Sequence, residues 1–102
     1  MSLINFDTEF KDMEGEVIKQ PSGKNATLRG AAVDALLAQF QDEQNLSGEE
    51  KLKRWTLAKH IVKSKDAPCE VTAEDISLIK KLIAKAYGAL VVGQAWEILE
   101  GK

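Results

Sequence analysis

Thr72-Ala73-Glu74-Asp75-Ile76-Ser77-Leu78-Ile79-Lys80-Lys81-Leu82-Ile83-Ala84-Lys85-Ala86-Tyr87-Gly88-Ala89-Leu90 is the stretch that decides the fold class of this chain. Thr72 with Asp75 three residues on is a helix-start signal, because the hydroxyl accepts an orphan amide of the first turn and the carboxylate reaches back. Ile76, Ile79, Leu82, Ile83 and Ala86 then recur at three- and four-residue steps, with Ser77, Lys80, Lys81 and Lys85 opposite, which makes one apolar stripe. Tyr87-Gly88 ends the helix in the manner of a left-handed glycine cap, and Ala89 to Leu99 resumes as a last helix with Val91, Val92, Ala95, Trp96, Ile98 and Leu99. So short a link predicts a helical hairpin.

Immediately upstream, Cys69-Glu70-Val71 is extended enough for a short strand, and Asp66-Ala67-Pro68 stops whatever helix precedes it, since proline excludes helical geometry at the residue before. That helix opens at Ser47-Gly48-Glu49-Glu50, a capping-box sequence. On a helical wheel Leu52, Trp55, Ala58 and Val62 form one flank and Leu57 and Ile61 another, leaving Lys53, Thr56, His60 and Lys63 as the polar face. An apolar arc this wide predicts contact with two elements. Further upstream, Thr27 caps a helix to about Gln41 bearing Leu28, Ala32, Val33, Leu36, Leu37 and Phe40, in which Gly30 costs up to ~1 kcal/mol relative to alanine.

The first 26 residues lack helical periodicity. Thr8-Glu9-Phe10-Lys11 and Glu16-Val17-Ile18-Lys19 flank Asp12-Met13-Glu14-Gly15, a four-residue loop ending in glycine, and predict a β-hairpin. Gln20-Pro21-Ser22-Gly23-Lys24-Asn25 is dense in turn formers and is read as the end of that hairpin. The fold class is thus α+β and mainly helical: an N-terminal β-hairpin, about four α-helices, and a short third strand near residues 69–71 that pairs with the hairpin. The whole, 1–102, is one domain, with 1–26 the hairpin and turn region and 27–102 the helical region.

Length and composition fit this. A chain of 102 residues with 44% hydrophobic content supports one core without metals or disulfides. A single cysteine, Cys69, excludes an internal disulfide and a cysteine zinc site, so the expected compartment is the cytoplasm. No apolar run approaches the ~20 residues of a membrane span, and the start of the chain has no basic, apolar leader. The net charge of −2 argues against indiscriminate nucleic-acid binding but averages two unlike parts. Residues 1–46 hold four bases against eight acids, whereas residues 47–102 hold ten against eight. The asymmetry concentrates in residues 51–65, where Lys51, Lys53, Arg54, Lys59, Lys63 and Lys65 face no acid.

Motifs that carry chemistry are absent from the pattern. Cys69 and His60, nine residues apart on different elements, have no nucleophile–base spacing, and read as a small half-buried cysteine and a solvated helical histidine. Glu49-Glu50 and Glu74-Asp75 sit in first helical turns, where the helix dipole favours negative charge, so with Asp42-Glu43 they read as structural carboxylates. Residues 66–76 have the outline of a calcium-binding hand without its alternating oxygen ligands or its glycine. Gly15, Gly23, Gly30, Gly88 and Gly93 match no phosphate-binding loop. No catalytic residue, cofactor or metal site is assigned. Lys51 and Arg54 lie among apolar positions, where long stems pass over a core. The last helix is more apolar than one neighbour requires, so it is either a central core helix or in part an interface with another subunit.

Ser47-Gly48-Glu49-Glu50-Lys51-Leu52-Lys53-Arg54, Asp75-Ile76-Ser77-Leu78-Ile79-Lys80-Lys81-Leu82 and Tyr87-Gly88-Ala89-Leu90-Val91-Val92-Gly93-Gln94-Ala95-Trp96-Glu97-Ile98-Leu99 together resemble small proteins encoded by tailed bacteriophages and prophages. The motifs are packing and capping residues, so the resemblance carries over no catalytic positions. It implies a non-enzymatic accessory protein of the host cytoplasm or the virion that binds protein, whether itself, a phage protein or a host protein, in virion morphogenesis or in modulating the host. The candidate partner-binding residues are Lys53, His60 and Lys63 on the second helix and Leu90, Val91, Gln94 and Trp96 on the last. A small nucleic-acid-binding regulator using the basic second helix is the alternative; no membrane partner is expected.

Overall fold

Phe10, Ile18 and Ala26 stand eight residues apart, and their backbones close a ring: Phe10 N–H donates to the Ala26 carbonyl at 2.9 Å, Ala26 N–H to Ile18 at 2.8 Å, and Ile18 N–H to Phe10 at 2.9 Å. Three isolated antiparallel bridges, Lys11 to Val17, Lys19 to Asn25 and Glu9 to Thr27, complete this three-way β cap. Two similar turns build it. In each, the residue opening the turn accepts the amide of a glycine with positive φ, Asp12 from Gly15 and Gln20 from Gly23, a conformation that glycine adopts without penalty. The structure, a computed structural model, describes residues 2–65 and 67–101. The 12–15 loop is where the sequence reading expected it, but residues 20–25 form a second turn of the cap and not its end. Asp66, part of the expected helix stop, lies outside the described residues.

The short strand expected near 69–71 exists, with a different partner. β1 (Ser2–Ile4) pairs antiparallel with β2 (Cys69–Val71), Ile4 opposite Cys69 and Ser2 opposite Val71. Phe10, Ile18 and Ala26 already bond to one another in the three-way ring and the Lys11 backbone bonds to Gln94, so β2 pairs with the residues before the hairpin.

Four α-helices follow among the described residues: α1 (Leu28–Leu37), α2 (Gly48–Lys63), α3 (Ala73–Ala86) and α4 (Ala89–Leu99). Thr27, Ser47 and Thr72 cap the first three, each hydroxyl accepting the amide three residues on. At Thr72 the box is reciprocal, with the Asp75 carboxylate accepting the Thr72 amide at 3.1 Å. The Glu50 carboxylate turns instead towards Arg54, 3.5 Å from its Nε. Tyr87-Gly88 does not form the expected left-handed cap: Gly88 is extended, at φ −85° and ψ −177°, and serves as N-cap of α4. α1 ends four residues before Gln41, because Phe40 and Glu43 are drawn to partners on α3 and α2.

α1 packs on both α2 and α3, and α3 packs on α4. Phe6, Phe10, Leu28, Ile61, Ile79, Leu82 and Ile83 fill the core where these elements meet the cap and the sheet. Arg29 of α1 ties the layers together, donating to the Ile61 carbonyl at 3.2 Å and pairing with Asp7. Every helix of the described residues is too short or too polar to cross a membrane.

Candidate functional site

The basic run of α2 divides into one inward and several outward charges. Arg54 is 4% exposed, and its guanidinium meets Glu43 in a fork, Nη1 to Oε1 and Nη2 to Oε2, both at 2.8 Å. Lys85 of α3 lies 3.2 Å from the same carboxylate and 2.9 Å from Asp42, with its ammonium over the Phe40 ring. Hydrogen bonding from Arg54, and secondarily from Lys85, holds the Glu43 carboxyl at about 2 against an ordinary 4.5, in opposition to its own burial. The fork likewise raises the Arg54 pKa. Asp42-Glu43 is therefore a fastener that pins the 38–46 loop across the ends of α1 and α2, and the expectation that Arg54 merely passes over the core is corrected: it ends inside. A cleft of about 480 Å³ lined by Leu36, Leu37, Phe40, Leu46, Lys51 and Arg54 opens under this loop.

The outward face of α2 differs from its wheel in one respect. Leu57, Ala58 and Ile61 are buried, as expected, but Leu52, Trp55 and Val62 are 60%, 50% and 51% exposed. The arc is covered only along Arg54, Leu57, Ala58 and Ile61, with α1 the helix packed against α2, and the line of Leu52, Trp55 and Val62 stays open among the described residues. Lys59 lies between them with its ammonium 4.2 Å from the Trp55 ring. Lys51, Lys53, Lys59, Lys63 and Lys65 are all exposed, and none forms an ion pair with an acid among the described residues. His60 is exposed too, yet its Nε2 lies 2.8 Å from the Glu70 carbonyl, so the ring fastens α2 to β2. Beside it, Leu52, Lys53, Thr56, Leu57 and His60 line a shallow groove of about 480 Å³ edged by Glu49 and Asp75. Sequence reasoning placed Lys53, His60 and Lys63 on this face and missed Leu52, Trp55 and Val62 as surface groups. Their recurrence at 52, 55, 59 and 62, with lysine at 59, was the available signal.

The candidates on α4 stand apart from those on α2, since α4 leans on α3. Gln94 is committed to structure: its amide exchanges two hydrogen bonds with the Lys11 backbone, at 2.8 and 2.7 Å, clasping the β cap to α4 as a strand neighbour would. Trp96 is 37% exposed, but its indole N–H donates to the Lys80 carbonyl and Lys80 covers the ring. Val91 is partly buried against the core, and Leu90 is exposed. With Ala95 and Leu99 buried and Leu90 and Trp96 outward, α4 is a one-sided helix and not the central core helix its composition suggests.

Cys69 is 1% exposed, and burial pushes its thiol pKa up, so it is held as an inert thiol. Among the described residues no group of three or more His, Cys, Asp or Glu side chains is arranged to hold a metal ion. No protein family, no curated protein and no solved structure matches the chain.

Proposed function

We propose that the chain works without catalysis, by binding another protein, as an accessory protein of the tailed-phage kind that its sequence resembles, in virion morphogenesis or in modulating a host protein. Its place of action on this reading is the bacterial cytoplasm or the virion. One observation carries the reading: Leu52, Trp55 and Val62 form an exposed row on α2 with unpaired lysines on either side. Tryptophan is the residue type most enriched among interface anchors, and grouped apolar side chains on a small domain commonly mark contact sites. Leu57, Ala58, Ile61 and Arg54 lock the inner side of the helix, so its outer side chains meet a partner with little backbone freedom left to lose.

The unpaired lysines favour a second reading, a nucleic-acid regulator touching phosphates through Lys53, His60 and Lys63. Apolar groups in the middle of the face weigh for protein, because phosphate contacts need cations there. The test is photo-crosslinking in the producing cells, with a photoreactive phenylalanine in place of Trp55 or, as control, of the exposed Met13. A discrete protein adduct from position 55 and none from position 13 is expected. A nucleic-acid adduct selects the second reading, and no adduct from position 55 refutes binding through this face.

A further inference from the structure

We infer that the occupant of the α2 face is an acidic amphipathic helix of a partner protein, docking along Leu52, Trp55, Lys59 and Val62. This rests on the protein-binding reading above and adds the chemistry of the partner. The four positions follow steps of three, four and three residues, so they form one straight row. At 1.5 Å per residue it is about 15 Å long, matched by about three turns of a second helix. Such a partner presents apolar residues in the same rhythm and carboxylates beside them, over Lys51, Lys59 and Lys63.

Charge complementarity selects this occupant. These three lysines have no acid of their own among the described residues, whereas Arg54 is neutralised inside by Glu43. A second copy docked through the same face would set Lys59 near the twofold axis against its mate and the flanking lysines against one another, a like-charge arrangement that disfavours the contact. A flat anionic membrane would meet Glu49 and Asp75 at the edge of the groove beside Leu52. A helix, narrower than a membrane plane, lies along the row, meets that groove only at Leu52, and keeps its carboxylates over the lysines.

The test uses the full chain and fluorescently labelled peptides of equal length: an acidic helix with leucine at the seam positions and glutamate beside them, its twin with lysine for glutamate, and an acidic scramble of the first. Anisotropy titrations are expected to give binding of the first at least about tenfold tighter than either control, weakening between about 0.05 and about 0.5 M salt as screening shortens. Trp55→Ala should weaken it by about tenfold or more, and Lys59→Glu should weaken it as well, both with unchanged thermal unfolding. Equal binding of the scramble, equal binding of the basic twin, no binding at all, or indifference to Trp55→Ala overturns the inference. So does Trp55-dependent binding to phosphatidylserine vesicles, or a Trp55-dependent dimer in sedimentation velocity, when tighter than the peptide complex. If the peptides fail but position 55 still cross-links to a protein, the binding reading stands and the acidic-helix chemistry falls; if both fail, both fall.

Discussion

Glu43→Gln removes the one negative charge that both Arg54 and Lys85 hold, and the structure sets the size of the effect. Glu43 is 11% exposed at its side chain and forked to Arg54 at 2.8 Å, and its pKa is lowered from 4.5 to about 2. A carboxyl depressed in the folded state contributes stability that is complete above its unfolded pKa and is lost as pH falls through the folded one, here between about pH 4.5 and about pH 2. At neutral pH this shift is worth about 3 kcal/mol, of which about 2 kcal/mol is gone by about pH 3. The glutamine variant should therefore be about 2 to 3 kcal/mol less stable near pH 7, with the gap narrowing to about 1 kcal/mol near pH 3. Urea denaturation followed by far-ultraviolet circular dichroism measures both, urea being uncharged and leaving the ion pair unscreened. In an Arg54→Met background the same substitution should cost less than about 1 kcal/mol, since the fork is already broken. A gap that stays constant from pH 7 to pH 3, or one equally large without Arg54, refutes the assignment of this fork as the fastener of the 38–46 loop.

Gln94→Ala should free the β cap from α4, costing about 1 to 2 kcal/mol and speeding hydrogen exchange at the Lys11 amide, which Gln94 now accepts at 2.8 Å; unchanged exchange there contradicts the clasp. Thr72→Ala removes half of the reciprocal capping box and should cost about 1 kcal/mol in chemical denaturation, with no loss if α3 starts elsewhere. Cys69 should resist a maleimide at neutral pH in the native state and react at once in urea, since burial both hides the thiol and raises its pKa; rapid native labelling argues against the Ile4 and Cys69 strand pairing.

The starts of three helices were written locally, in Thr27, Ser47 and Thr72, because a cap is a bond between residues three apart and needs nothing else. The apolar stripe of α3 was equally legible, and so was the turn that ends in Gly15. The eight-residue repeat that sets Phe10, Ile18 and Ala26 in a ring was present in the sequence as well. Its turns were visible one by one, but the ring exists only when the third segment returns to the first. The binding candidates divide in the same way. Lys53, His60 and Lys63 fall on the polar arc of α2 by periodicity alone, whereas Gln94 looks like any polar helical residue until the Lys11 backbone is beside it.

By itself the sequence determined a mainly helical α+β domain, its helix order, its capped starts and the unequal division of charge. The tertiary structure decided which side of α2 would be covered. A helical wheel records only which residues share a face, and Leu52, Trp55 and Val62 are as apolar as the residues that are buried; the helix is covered only along Arg54, Leu57, Ala58 and Ile61. Likewise the lone arginine of α2 found Glu43 eleven residues earlier, a pairing that depends on the loop's path and not on any spacing along the helix. What remains outward is a tryptophan row among unpaired lysines, a surface that packing left open and that local sequence could not mark as such.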